Sequence, residues 1–106
     1  MSTREMPNHY ESLKQRFPKT MEAIENLGAT VRDEGPLEKK VGHLVKLAAA
    51  AVSNSEGAVH SHTRRALDAG ATPDEIYHAL LILVSTVGFP RAAAAISWAD
   101  DVIREK

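Results

Sequence analysis

Residues 55–62 read Ser-Glu-Gly-Ala-Val-His-Ser-His, and residues 70–76 read Gly-Ala-Thr-Pro-Asp-Glu-Ile. The first stretch begins a helix, with Ser53 predicted as its N-cap and Glu56 as the acid of a capping box. Gly70 is typical of a residue that ends a helix in a left-handed conformation. The residues that follow supply an N-cap threonine, a proline and two acids, which are typical of a new helix. This part of the chain therefore predicts two helices joined by a glycine turn.

Similar signals divide the rest of the chain. Prolines stand where three helices are predicted to begin, and the segment 31–36 is polar and breaks the helical pattern. No segment has the two-residue period of a strand. We predict an all-α fold, a single-domain bundle of about five to six helices over residues 1–106. The predicted helices cover residues 9–16, 18–28, 36–52, 53–69, 73–88 and 90 to the C-terminus.

The most apolar part of the chain is residues 79–87, where apolar side chains occupy nearly every face of the predicted helix. A surface helix in a small domain needs only one apolar stripe. We expect a second copy of the chain to cover the remaining faces, which predicts a homo-oligomer. The alternative is a central helix wrapped by its own chain.

Composition excludes several classes of function. The chain has 13 basic and 14 acidic residues, a formal net charge of −1, and 5% aromatic residues. It therefore lacks the basic stripe and the stacking platforms that bind nucleic acid, and we expect no nucleic-acid partner. The absence of cysteine excludes a disulfide scaffold, a cysteine-ligated zinc site and a peroxidatic thiol.

The start of the chain gives no targeting signal. Residues Met1 to Pro7 are polar and contain no apolar core of a signal peptide. The apolar run 79–87 is far shorter than the roughly 20 residues that span a bilayer. We therefore expect a cytoplasmic protein with no membrane partner.

The order of landmarks around His62 resembles that of the carboxymuconolactone decarboxylase and alkyl hydroperoxidase D-like family. In that family, a helix carries a histidine, and small residues, a glycine turn and a Glu-Ile helix start follow. Here His62, Gly70 and the Glu-Ile pair of residues 75–76 occupy these places. Residues 35–45 look like the family's preceding helix, and Val-Gly-Phe-Pro at 87–90 resembles its Gly-x-Pro junction.

The resemblance covers roughly Pro18 to Ile103, and it implies an AhpD-like helical bundle that assembles as a homotrimer or homohexamer. Hydroperoxidase-type members carry two cysteines, at positions held here by Ser55 and Ala58, and a glutamate at the position of His43. Thiol peroxidase activity is therefore not expected. Decarboxylase-type members lack the cysteine pair and use acid/base chemistry on a lactone carboxylate. They tend to have a glutamate at the position of Ala58.

His62 and His43 are the candidate catalytic histidines. His62 lies on the predicted inward stripe of its helix, where it is either a structural core histidine or a general base in a pocket, since imidazole titrates near pH 6.5. His43 lies on the preceding helix. If the two helices pack antiparallel, it faces His62 across a cleft and assists proton transfer; otherwise it is a histidine on the helix flank.

Three further residues around the start of the same helix have candidate roles. Ser55 is either a nucleophile or, more simply, a residue that caps the helix. Glu56 and His60 are spaced i,i+4 and share a face, so they form either a metal-ligand pair or an ion pair. His60 and His62 differ by about 200° around the helix and cannot point into one pocket of a single chain.

We arrive at two functional hypotheses. The first is a histidine-based acid/base enzyme of the decarboxylase-like lyase kind, acting on a small organic acid or lactone. The second is a non-catalytic oligomeric scaffold that binds a small ligand or a metal through its histidines. No cofactor is required by either hypothesis, and a divalent metal is the one candidate.

Overall fold

A computed structural model describes residues 8–105, and every regular element within them is a helix, as predicted. The polar segment Met1 to Pro7 lies outside the described residues. Contacts divide the chain into two compact units, Met1–Leu37 and Glu38–Lys106. The helices are α1 (Asn8–Arg16), α2 (Pro18–Asp33), α3 (Lys39–Val52), α4 (Glu56–Asp68), α5 (Pro73–Ile82), α6 (Val84–Val87) and α7 (Phe89–Ile103).

The first unit is the pair α1 and α2, which meet at Phe17 and Pro18 where the sequence predicts a boundary. Lys14 on α1 lies 3.4 Å from the Glu25 carboxylate on α2. The predicted end of α2 at Gly28 is wrong, because the helix continues to Asp33. A glycine inside a helix costs about 1 kcal/mol, which is too little to end a helix by itself.

The second unit has its core between α3, α4, α5 and α7. Helix α3 packs most extensively against α4, and α4 packs in turn against α7. Small side chains make up much of this core, and the alanine-rich runs 48–51 and 92–95 each contribute buried residues to the second unit. The buried cluster consists of Leu47, Ala50, Ala51, Val59, Ala66, Ala71, Ile76, Leu80, Ala95 and Ala99.

The glycine turn forms as predicted at the end of α4. Gly70 has a φ of +101°, which an L side chain rarely adopts. The Gly70 amide donates to the Leu67 carbonyl at 3.0 Å, and the Ala71 amide donates to the Ala66 carbonyl at 2.9 Å. These two bonds are those of a Schellman motif, which satisfies carbonyls at the helix end.

The capping box also forms as predicted at the start of α5. Thr72 Oγ1 accepts from the Glu75 amide at 3.1 Å, and the Glu75 carboxylate accepts from the Thr72 amide at 2.9 Å. Lys40 on α3 lies 3.0 Å from the same carboxylate. The hydrogen bond from the Thr72 backbone, followed by the contact with Lys40, lowers the pKa of Glu75.

Three further predicted boundaries are wrong. Helix α3 begins at Lys39 rather than at Pro36, and the predicted helix 73–88 is divided at Leu83 into α5 and α6. Helix α4 is capped by Ser55, not by Ser53. The Ser53 amide still donates to a carbonyl of α3, and Asn54 has a φ of +58°, so the chain turns later than predicted.

The apolar segment 79–87 is only partly covered. Leu80 is fully buried, whereas Leu81 and Ile82 are 51% and 58% exposed. One face of this segment therefore packs on its own chain and another is exposed, and coverage of the exposed face by a second copy stays a prediction. No helix in residues 8–105 is long and apolar enough to cross a membrane.

Gly70→Ala should destabilise the protein by about 1–2 kcal/mol, the cost of a left-handed conformation for an L residue. Gly57 provides the matched control, since it lies in α4 and has open space where the methyl group of an alanine would stand. Gly57→Ala should stabilise by about 0.5–1 kcal/mol, because alanine loses less backbone entropy. Urea unfolding of both variants measures this, and equal effects of the two substitutions would contradict the role assigned to Gly70.

Glu75→Gln should reduce the acid sensitivity of the fold. The pKa of Glu75 is lowered below 4.5 in the folded state, so its charge stabilises fully above that pH, and the contribution is lost as pH falls through the lowered value. Melting curves from pH 6 to about 3 should therefore show a smaller loss of Tm for the variant than for the wild type. Glu22→Gln, at another exposed acid, should follow the wild-type profile.

Candidate functional site

His43 lies on the buried face of α3. It is 7% exposed and shares this face with Leu47, Ala50 and Ala51, which follow at helical spacing. Burial of a histidine among apolar residues removes water from the imidazole and makes its protonation depend on the groups around it. The alternative interpretation, an exposed or partly buried histidine on the helix flank, does not fit this burial.

His62 lies on α4 and is half-buried, with a fully buried Nδ1 atom; Nδ1 of His43 is buried as well. Helices α3 and α4 are joined by a three-residue turn and pack along their lengths. His43 lies about 14 Å from the turn end of α3, and His62 about 9 Å from that of α4. Measured along the hairpin from its turn, the heights of the two histidines therefore differ by about one helical turn, so they occupy neighbouring levels.

Thr63 is a polar residue of this region that the sequence pattern did not reveal. It is fully buried, between Val59 and Ala66 on the inward face of α4, and its Oγ1 makes no hydrogen bond within the described residues. A buried hydroxyl without a partner costs about 1–3 kcal/mol. The inward stripe of α4 therefore has Thr63 at its centre, between Val59 and Ala66. His62, which was predicted to lie in this stripe, stands at its edge.

Ser55 caps α4. Its Oγ accepts from the Ala58 amide at 3.3 Å, which is the simpler of the two roles considered for this residue. Seven residues separate it from His62, or about 10 Å of helix rise. The local geometry explains a serine here without a catalytic role, and a nucleophilic role for Ser55 stays a prediction.

Glu56 and His60 come together with a third residue, Asp101, on α7. His60 Nε2 lies 3.0 Å from Asp101 Oδ2 and 4.0 Å from Glu56 Oε2. One ligand atom from each of the three residues lies within 4.8 Å of the others. The sequence could not show this partner, because 41 residues separate His60 from Asp101 and no local spacing connects them.

Asp100, the neighbour of Asp101, has a different role. It accepts a short hydrogen bond from the Tyr77 hydroxyl of α5. This bond, followed by burial, raises the pKa of Tyr77. Two adjacent acids of α7 therefore contact different helices, Asp100 holding α5 and Asp101 approaching α4.

Two open grooves lie along α7, and neither is lined by His43 or His62. One groove is lined by Ser97, Asp100, Asp101, Arg104 and Glu105. The other is lined by Asn54, Val87, Pro90, Arg91 and Ala94. Asp101, one residue of the cluster with Glu56 and His60, thus lines an open groove. His43 and His62 lie elsewhere in the same unit.

The protein is thus an all-helical protein with histidines on a packed helical hairpin and no cysteine in its sequence. Residues 18–101 match the Carboxymuconolactone decarboxylase family, and the chain belongs to this family. The match begins at the first residue of α2 and ends within α7, so it includes both histidines. The resemblance stated from the sequence is confirmed.

Relatives support the assignment. Uncharacterized protein MJ1511 of Methanocaldococcus jannaschii is 33% identical over 86 residues, which cover 81% of this chain and 80% of that protein. The crystal structure of apo-lpg0406, a carboxymuconolactone decarboxylase family protein from Legionella pneumophila, has a TM-score of 0.77 at 23% identity. That alignment covers 89% of this chain and 87% of the other, and at this identity it shows the fold alone.

A second solved structure is of a candidate carboxymuconolactone decarboxylase from Burkholderia xenovorans LB400. Its TM-score is 0.73 at 26% identity, over 93% of this chain and 80% of that one. The helical order described above is therefore shared with solved proteins of the family.

Proposed function

We propose that the protein is a histidine-based acid/base enzyme of the decarboxylase-like kind, acting on a small organic acid or lactone. His62 is the principal acid or base, and His43 assists it. The observation that carries the proposal is the placement of the two histidines at neighbouring levels of the α3–α4 hairpin, each with a buried Nδ1. Membership of the family supports the substrate class.

The chemistry that two such histidines offer is proton transfer at neutral pH. Imidazole gives and takes protons near physiological pH, and two coupled imidazoles titrate as a pair. Loss of CO₂ from a lactone acid leaves the bonding electron pair on the lactone, and a histidine cation supplies the proton that this anion takes up on carbon. Such proton transfer typically contributes about 10²–10⁴-fold to the rate.

We also propose that the working form is a homotrimer or homohexamer. Large apolar side chains lie exposed on the second unit, where Leu81, Ile82 and Phe89 are 51%, 58% and 63% exposed. Leu81 and Ile82 are consecutive exposed residues at the end of α5. A second copy that covers these side chains removes them from water at about 25 cal/mol per Å².

The catalytic proposal is tested with carboxymuconolactone as the first substrate and release of carbon dioxide as the measured quantity. His62→Gln should lower kcat/KM by about 10²-fold or more, and His43→Gln should lower it by a smaller factor. His78→Gln is the matched control, because His78 is exposed on α5. Full activity in His62→Gln would contradict the role assigned to this residue.

The scaffold hypothesis makes a different prediction for the same proteins. If the chain binds small acids without converting them, the lactone shifts the NMR signals of the His43 and His62 rings and no carbon dioxide is released. That result would replace the enzyme by a binding protein. Release of carbon dioxide that depends on His62 would reject the scaffold hypothesis.

Light scattering tests the assembly. The wild-type chain should have a mass of three or six times 11.5 kDa in solution. Leu81→Glu combined with Ile82→Glu should shift it towards smaller species, because two charges replace apolar side chains in the proposed interface. Ser85→Glu, an exposed position in α6, is the control. A monomeric wild type would overturn the proposed assembly.

A further inference from the structure

The cluster of Glu56, His60 and Asp101 has no part in the proposed acid/base chemistry, and it joins two helices. Glu56 and His60 stand on successive turns of α4, and Asp101 approaches from α7. The His60 side chain is 21% exposed, while Glu56 and Asp101 are 57% and 54% exposed. The imidazole is therefore sheltered and the two carboxylates face solvent.

We propose that this cluster is a binding site for a divalent first-row transition cation such as Zn²⁺ or Co²⁺, which joins α4 to α7. The ligands are Nε2 of His60 and one carboxylate oxygen each from Glu56 and Asp101. An imidazole with two carboxylates suits zinc, cobalt or manganese, whereas magnesium and calcium prefer oxygen ligands alone.

The distances suit a shared cation. Ligands of zinc lie about 2.0–2.2 Å from the metal, so two of them on one ion are at most about 4.4 Å apart. His60 Nε2 is 3.0 Å from the Asp101 oxygen and 4.0 Å from the Glu56 oxygen, both within that limit. The Glu56 and Asp101 oxygens lie within 4.8 Å of each other, and both side chains are more than half exposed, so rotation of these carboxylates brings all three ligands to one ion.

The competing interpretation is a purely structural ion pair, in which a protonated His60 bridges the two acids. It predicts a different response to metal. A histidine cation has no lone pair for a metal, whereas the neutral imidazole coordinates through Nε2 and the bound cation replaces the bridging proton. Metal titration at pH 7.5 therefore distinguishes the two interpretations.

The proposed metal site is separate from His43 and His62. His60 and His62 are two residues apart on α4 and point about 200° away from each other around the helix. A cation at His60 therefore does not occupy His62 or interfere with the chemistry proposed for it. Three protein ligands leave further coordination positions for water or for an anionic group in the groove beside Asp101.

The experiment is a calorimetric titration of the full chain with ZnCl₂ and, separately, CoCl₂, after treatment with EDTA and exchange into a buffer that does not chelate metals. We expect one ion per chain. His60→Gln and Asp101→Asn should each weaken binding by at least about tenfold, a loss that even an indirect partner of a ligand can cause. A large excess of Mg²⁺ should not compete.

Asp100→Asn is the matched control. It removes the same charge from the adjacent residue of α7, but Asp100 contacts Tyr77 rather than His60. It should bind the cation as the wild type does, and circular dichroism confirms that each variant is folded. A wild type that binds no ion per chain would overturn the proposal, as would unchanged affinity in His60→Gln and Asp101→Asn.

The location of bound metal gives a second readout that does not depend on affinity. In the wild type, Zn²⁺ should shift the ring nitrogen signals of His60 in NMR spectra. If it shifts the signals of His43 and His62 instead, the cation binds at the buried pair and the site proposed here is wrong. These outcomes are independent of carbon dioxide release, so either proposal can fail alone.

Discussion

The second unit depends on how closely α3, α4 and α7 can approach one another. Alanines occupy the buried positions of all three helices, at Ala50 and Ala51 on α3, Ala66 on α4, and Ala95 and Ala99 on α7. A methyl group buries little apolar area, but it lets helix backbones come close and pack densely. Larger side chains at these positions would force the helices apart, because a close-packed interior has no room for added volume.

The position of α4 between α3 and α7 gives this helix two chemical faces. His62 is half-buried and stands at the edge of the buried face of α4, the helix that packs most extensively against α3 and its buried His43. On another side, His60 contacts Asp101 of α7. His60 and His62 are two residues apart, so they point about 200° apart around the helix and contact different neighbours.

Burial separates the roles of these histidines further. The burial of His43 suits a proton carrier whose charge state depends on its neighbours. His60 lies between two solvent-exposed acids, which suit a cation. The same residue type therefore supports acid/base chemistry in one place and metal binding in another, and the environment decides which.

The local features of the fold follow from neighbouring residues in the chain. The glycine turn at Gly70 and the capping box at Thr72 depend on interactions within a few residues, and the all-helical class follows from periodicity. The sequence also showed a histidine at the family's position, His62, and the absence of cysteine. The match to the family confirms the resemblance that was used to interpret them. Only the tertiary structure decided which distant residues meet. The pairing of His60 with Asp101 and the burial of Thr63 result from the packing of α4 on its neighbours, to which no local signal is sensitive. The end of α2 and the division of the predicted helix at Leu83 were not indicated by local signals either. The caps and turns of several helices depend on neighbouring residues. The packing of the helices decides which groups their polar side chains face.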